Sequence, residues 1–328
     1  MHLKEIYSPI HKELGGVNKI LEASLKESRN KSVLKINDFL LSCPGKRLRP
    51  ALVILSAKAG SGYKQGVAGD GLIKIASAIE LIHMASLVHD DVIDHSKLRH
   101  NQPTIHSKWG EDVAIALGDY LYSKAFELIA TCKNTDILSC ISQATRLMCE
   151  GELIQVCERD NLQLLKERYI IIVKKKTANL FAASCQSGAI ASGARESVRG
   201  ALREYGLNFG IAFQIIDDCL DLIAQEEDLG KTPGADFKMG ELTLPVLNLL
   251  SHSKDKDRIL SLLKSPDREK TFVDLRQSFV NSPACVKTKE DAYFYIHKAK
   301  ESLAKLTDSC FRQSLATLAD YIGRRIRI

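Results

Sequence analysis

The sequence predicts an all-α protein, and three observations carry that prediction. No proline lies between Pro103 and Pro233, and that stretch is rich in Ala, Leu, Ile, Glu and Lys, residues that favour helices. Apolar residues recur at helical spacing, as in Leu72, Ile75, Ile79 and Ile82. The strict apolar–polar alternation of half-buried strands is scarce. With 45% hydrophobic residues among 328, the chain can bury a large core. Apart from one duplicated acidic motif there is no internal repeat, and no low-complexity linker, so residues 1–328 read as a single domain.

The elements follow in order. Residues 1 to about 42 read as one or two amphipathic helices, ended by Cys43-Pro44-Gly45. Lys46-Arg47-Leu48-Arg49-Pro50 leads into an apolar helix from Ala51 to Ala59, and the glycine-rich segment Gly60 to Gly71 reads as a loop. A helix from Leu72 runs into Asp90-Asp91-Val92-Ile93-Asp94, and Lys97 to Thr104, with Asn101 and Pro103, reads as a loop. Further helices fit about 112–130, 136–156, 161–185, 195–223 and 243–251, with more amphipathic helix beyond. Gly230 to Gly240 reads as a loop.

The bulk charge excludes some functions. The net charge of +6 is mild and dispersed, with no basic run interleaved with aromatics, so no nucleic-acid partner is expected. The basic stretch Arg324-Arg325-Ile326-Arg327 reads first as solvated, ahead of an anion-facing flap or a membrane-surface contact. Nine cysteines without a C-x-x-C pair fit a reducing, cytoplasmic setting rather than disulfides or zinc. No signal peptide is visible, and no apolar run reads as long enough to span a bilayer, so stable membrane insertion is not expected.

The chemistry is concentrated in the acidic motif. Asp90-Asp91-Val92-Ile93-Asp94 and Asp217-Asp218-Cys219-Leu220-Asp221 are both D-D-x-x-D, each beside an apolar run. At about 3.6 residues per turn, the first and last Asp of each cluster lie on one helix face. Carboxylates so placed repel one another unless a cation sits between them. Carboxylate-only ligands favour Mg²⁺, which commonly keeps a substrate phosphate as a further ligand. His83 lies two turns before Asp90 on the same face, and Gln214 one turn before Asp217. Lys46, Arg49, Arg99, His100, Lys176 with Thr177, and Lys231 supply the donors that anionic groups would need.

Taken together these segments resemble the all-trans polyprenyl diphosphate synthases. The resemblance rests on Gly45-Lys46-Arg47-Leu48-Arg49-Pro50, Glu80-Leu81-Ile82-His83, His89-Asp90-Asp91-Val92-Ile93-Asp94, Gly118-Asp119-Tyr120-Leu121 and Glu150-Gly151-Glu152-Leu153. It continues through Lys176-Thr177-Ala178, Phe213-Gln214-Ile215-Ile216-Asp217-Asp218, Leu229-Gly230-Lys231 and Thr243-Leu244-Pro245. It implies an all-α bundle of the isoprenoid synthase type around a deep central cavity. It also implies head-to-tail condensation of isopentenyl diphosphate with an allylic diphosphate, farnesyl or geranylgeranyl, by a homodimer. Asp90, Asp94 and Asp217 would hold Mg²⁺ on the allylic diphosphate, and Asp91, Asp218 and Asp221 would assist. Arg99, Lys176, Gln214 and Lys231 would contact the allylic side. Lys46, Arg49 and His83 would hold isopentenyl diphosphate, and the oxygens of Thr177 and Gln214 would steady the carbocation. In the family the positions four and five before the first Asp wall the cavity. Here they are Ser86 and Ala85, both small, so the expectation is a product of about C35 to C45, octaprenyl foremost, for a quinone side chain.

Two positions depart from the family's pattern. His100 stands where a second arginine is usual, and neutral imidazole gives no bidentate grip. Glu241 stands where lysine is usual, and a carboxylate there would repel diphosphate unless turned away. These departures keep a second reading open, a non-catalytic partner subunit of a heteromeric synthase. A third, a terpene cyclase, would have no use for Lys46, Arg49 and His83 as a second diphosphate site.

Overall fold

The computed structural model describes residues 2–43, 45–60, 69–99, 101–223 and 233–326. Short α1 (Leu3–Ile6) and a 3₁₀ turn (Ser8–Ile10) lead into α2 (His11–Leu25) and α3 (Lys31–Leu41). Asn30 starts α3 by accepting from the backbone of Ser32 at 2.9 Å, satisfying a donor that the helix itself cannot. Next come α4 (Leu48–Gly60) and α5 (Asp70–Ile93). α4 starts at Leu48, three residues before the expected Ala51. Pro50 falls in its first turn, where no amide has an intrahelical acceptor, so proline there costs no bond.

The expected loop after α5 contains a minimal antiparallel hairpin, β1 (Leu98–Arg99) with β2 (Gln102–Pro103). Asn101 makes the tight reversal by adopting φ +61°, a left-handed conformation that Asn tolerates. Then follow α6 (Ile105–Trp109), α7 (Glu111–Thr131), α8 (Thr135–Cys157) and α9 (Lys166–Val173). The helix expected over 161–185 is interrupted. After α9 the backbone widens into a π turn, Lys174–Ala178, before resuming as α10 (Asn179–Ala191). Asn179 Nδ2 donates to Lys174 O at 2.7 Å across that turn. The chain continues through α11 (Glu196–Ile223), short α12 (Ala235–Lys238), α13 (Leu244–His252), α14 (Lys256–Leu263), α15 (Arg268–Val280), α16 (Pro283–Ser302) and α17 (Cys310–Gly323).

The core lies where α4, α5, α10 and α11 meet, with α7 covering α5 and α16 covering α11. α10 can lie directly on α4 because Gly188 faces Val53 O, and a Cβ there would overlap it. α5 corrects one expectation. With 24 residues it is long and apolar enough to cross a membrane by length and composition. Its apolar length serves the core instead: 67% of its most apolar window is buried among other helices.

Candidate active site

Both acidic clusters sit at helix C-terminal ends. Asp90 and Asp91 occupy the last turn of α5, with Asp94 as its C-cap, and Asp217, Asp218 and Asp221 occupy the last turns of α11. Helix C-termini carry partial negative charge, so carboxylates there are disfavoured twice, by the dipole and by one another. Such ends are places for cations.

They open on one cavity of about 850 Å³. Its lining includes Asp90, Asp91, Asp94, Asp217 and Asp218, with Lys46, Arg49, His83, Ser86, Arg99, Lys176, Thr177 and Gln214. Thus most of the residues singled out from the sequence share one wall system. Two do not reach it: Asp221 and Ala85 are buried and lie outside the lining. Asp221 accepts from the backbone N–H of Asp236 at 3.2 Å, tying α11 to α12. His100 and Lys231 lie outside the described residues.

Asp91, Asp94, Asp217 and Asp218 each face a donor. Arg99 reaches Asp91 at 2.8 Å through both Nε and Nη2. Arg159 reaches Asp94 at 2.9 Å and Arg325 reaches Asp217 at 2.8 Å. Asp218 accepts from Tyr169 Oη at 2.6 Å and from Gln214 Nε2 at 2.7 Å. Thr177 Oγ1 in turn donates to Gln214 Oε1 at 2.8 Å. Burial pushes Asp90 and Asp218 up to about 7, Lys176 opposing the rise at Asp90. Desolvation pulls the Lys176 ammonium down, but Asp90, Glu152, Glu241 and Asp94 outweigh it and hold it above its ordinary range. Lys176 also pairs with Glu152 at 2.6 Å.

The same cavity also carries cations from the α4 end of the chain, Lys46 and Arg49. Arg49 is buried, stacks over the Phe181 ring at 4.2 Å, and its Nε has no hydrogen-bond partner among the described residues. Burial brings its guanidinium down to about 10, against the pull of Glu80, Asp217 and Asp90. His83 is held well below its usual range, first by desolvation and then by Arg49, Arg99 and Arg47, so it is neutral. Lys46 is lowered by desolvation and by Arg325. Its loop is fixed by Tyr7 Oη donating to Lys46 O at 3.2 Å and by Arg47, which reaches Glu80 at 2.8 Å.

The donor set fits a hard divalent cation together with diphosphate. Among the described residues no three His, Cys, Asp or Glu side chains converge on one point. A Mg²⁺ bound through one or two carboxylates and completed by phosphate and water needs no such cluster. On the lining, two buried polar atoms of opposite kinds have no hydrogen-bond partner among the described residues, the acceptor Glu152 Oε1 and the donor Arg49 Nε.

Four site residues carry no role in the sequence reading. Tyr169 lies seven residues before Lys176, a spacing that signals a shared helix face. Glu152 is part of a quoted motif. Arg159 has no local signal, because its partners Asp94 and Glu241 come from distant segments. Arg325 corrects the reading of the basic stretch as solvated. α17 packs on α4, which lays Arg325 on Asp217 and 5.3 Å over the Phe213 ring, with Ile326 buried. Glu241 is likewise not loose. It is buried and held by Arg159 at 2.8 Å.

The chain matches the family described as polyprenyl synthetase over residues 30–278. It is 36% identical to heptaprenyl diphosphate synthase component 2 of Bacillus subtilis, covering 99% of this chain and 91% of that one. It is 31% identical to octaprenyl diphosphate synthase of Escherichia coli over the full length of both. The polyprenyl synthase of Caulobacter crescentus, solved with calcium and isoprenyl diphosphate, superposes with a TM-score of 0.91 at 33% identity, covering 98% and 97% of the two chains. Other matches carry names from short-chain isoprenyl and geranylgeranyl to decaprenyl diphosphate synthases.

Proposed function

We propose, for a chain that belongs to the polyprenyl synthetase family and is thus a prenyl diphosphate synthase, the following reaction and assignment of roles. The enzyme condenses isopentenyl diphosphate head-to-tail onto an allylic diphosphate, farnesyl or geranylgeranyl, and repeats the step to a product of about C35 to C45, octaprenyl foremost. The observation that carries this reading is the convergence, on one cavity, of residues from two carboxylate clusters with Lys46 and the buried Arg49. The carboxylates suit a metal-bridged diphosphate, and Lys46 with Arg49 suits a diphosphate held by Arg and Lys alone.

Asp90, Asp94 and Asp217 would hold Mg²⁺, which when bound neutralises charge on the allylic diphosphate. Arg99 and Lys176 add fixed positive charge there, so the allylic C–O bond can ionise. Lys46, Arg49 and neutral His83 orient isopentenyl diphosphate. Its double bond attacks the allylic carbon, a proton leaves the adduct, and the released diphosphate accepts it. Thr177, which donates to Gln214, and Gln214, which donates in turn to Asp218, aim oxygen dipoles at the cation. Apolar lining residues such as Leu87, Met148, Ile172 and Phe213 keep water away. Small Ser86 in that lining leaves the cavity open to a growing chain.

The whole chain serves as one catalytic domain in a homodimer, for which the exposed Ile115 on α7 and Leu138 on α8 offer apolar surface. It works in the cytoplasm, with transient contact at a membrane surface as the apolar product leaves for quinone synthesis. Nine free cysteines support a reducing compartment.

The test is a product assay on the purified chain alone, with Mg²⁺, labelled isopentenyl diphosphate and farnesyl diphosphate. The expected result is a ladder ending at a long polyprenol after dephosphorylation. The name "component 2" of the Bacillus subtilis relative favours a second reading, that the chain works with a partner subunit. No incorporation by the folded chain alone would support that reading and overturn the first.

A further inference from the structure

Glu241 places a carboxylate in the lining of a cavity assigned to diphosphate. It is only 9% exposed. Burial raises it above the usual carboxylate range, with Lys176 opposing and Asp94 adding to the rise. Left alone, its charge would oppose a bound diphosphate.

The structure answers that charge from α8. Arg159, two residues beyond the helix end, donates to Glu241 Oε1 through Nε at 3.1 Å and Nη2 at 2.8 Å. Gln155 Nε2 donates to Glu241 Oε2. The same Arg159 Nη2 also donates to Asp94 Oδ1 at 2.9 Å. One residue on, Asp160 N donates to Gly240 O at 2.8 Å, so backbone and side chains clip these segments together. Arg159 is outside the cavity lining, while Asp94, Gln155 and Glu241 are within it. One guanidinium therefore serves two carboxylates from behind the wall.

We infer that Arg159 is a positioning residue for the allylic diphosphate site. It cancels the charge of Glu241 and holds the Asp94 carboxylate in place. This rests on the diphosphate reading given above. A guanidinium suits the task because its planar fork spans two acceptors at fixed geometry, which an ammonium cannot. Removing it would leave a buried carboxylate unpaired, the costly half of a broken ion pair.

The test is a calorimetric titration of inorganic diphosphate with Mg²⁺, made alongside the KM of each substrate. It compares the wild type with Arg159→Gln, Glu241→Gln and the double variant. Arg159→Gln is expected to weaken diphosphate binding about tenfold or more and to raise KM for the allylic substrate, not for isopentenyl diphosphate. Glu241→Gln is expected to bind diphosphate more tightly than the wild type. The double variant is expected to return to within about threefold of wild type. An unimpaired Arg159→Gln, or a double variant as weak as Arg159→Gln, overturns the inference; the latter would mark a purely structural clip. Should Arg159→Gln fail to fold, Glu241→Gln decides, and weaker binding there overturns it. A wild type that binds diphosphate but elongates nothing counts against the synthase reading, and the titration still reports on Arg159.

Discussion

Arg325 Nη1 stands 2.8 Å from Asp217 Oδ1. The guanidinium thus occupies one face of a carboxylate proposed to hold metal. A divalent cation arriving at Asp217 must compete with it.

The variant Arg325→Ala is therefore expected to bind Mn²⁺, as a probe for Mg²⁺, several-fold more tightly in the absence of substrates, because no guanidinium is displaced. Calorimetry on both proteins checks this. Unchanged or weaker binding would show that Arg325 does not guard the second cluster.

Metal binding should depend on pH through Asp90 and Asp218. Both are pushed up to about 7 by burial, against about 3.9 for an unperturbed Asp. Below about 7 a proton and the cation compete, so apparent metal affinity should rise with pH and level off above it. The sign for stability is the reverse. The native state binds more protons than the unfolded chain between about pH 4 and 7, so the metal-free protein should lose stability as pH rises through that window. Thermal melts from pH 5 to 8, with and without Mg²⁺, would show whether the two trends oppose.

Tyr169 caps the buried Asp218 with a 2.6 Å bond. Tyr169→Phe leaves that carboxylate short of a partner, at a cost of about 1–3 kcal/mol. The expected results are a melting temperature lower by a few degrees and an upward shift of the pH at which metal binding begins. A melt within error of wild type would mean that water replaces the phenol.

Lys176 depends on the π turn, and the turn depends on Gly151. A Cβ at that position would overlap the backbone of Lys176, which a side-chain rotation cannot relieve. Gly151→Ala should lower kcat more than it raises either KM, because it shifts the ammonium that faces Asp90. A variant with wild-type kcat would show that the turn tolerates displacement.

Product length separates two neighbouring residues. Ser86 lines the cavity and Ala85 does not. Ser86→Phe is expected to shorten the product sharply while keeping initiation. Ala85→Phe overpacks a closed core, costing about 1–3 kcal/mol, and should shorten the product only as far as α5 is pushed inward. Sizing the dephosphorylated products of both variants decides between them, and an unaltered product from Ser86→Phe removes the wall from this face.

The sequence by itself determined most of the helices, their order, both acidic clusters and most of the side chains that line the cavity. Those features are written in short-range spacing: three or four residues between Asp90 and Asp94, Gln214 and Asp217, or Leu72 and Ile75 fix a common helix face. It also contained every residue of the site, but not their pairings. Tertiary structure alone decided that Arg159 serves both Asp94 and Glu241, that Tyr169 caps Asp218, that Arg325 lies on Asp217, and that Asp221 faces α12 rather than the cavity. It also decided that the apolar α5 lies within the bundle. The physical reason is the range of the interactions. Helix periodicity is set by neighbours along the chain. An ion pair between distant segments exists only after packing has brought their ends to one cavity and removed the water that would otherwise screen each charge alone.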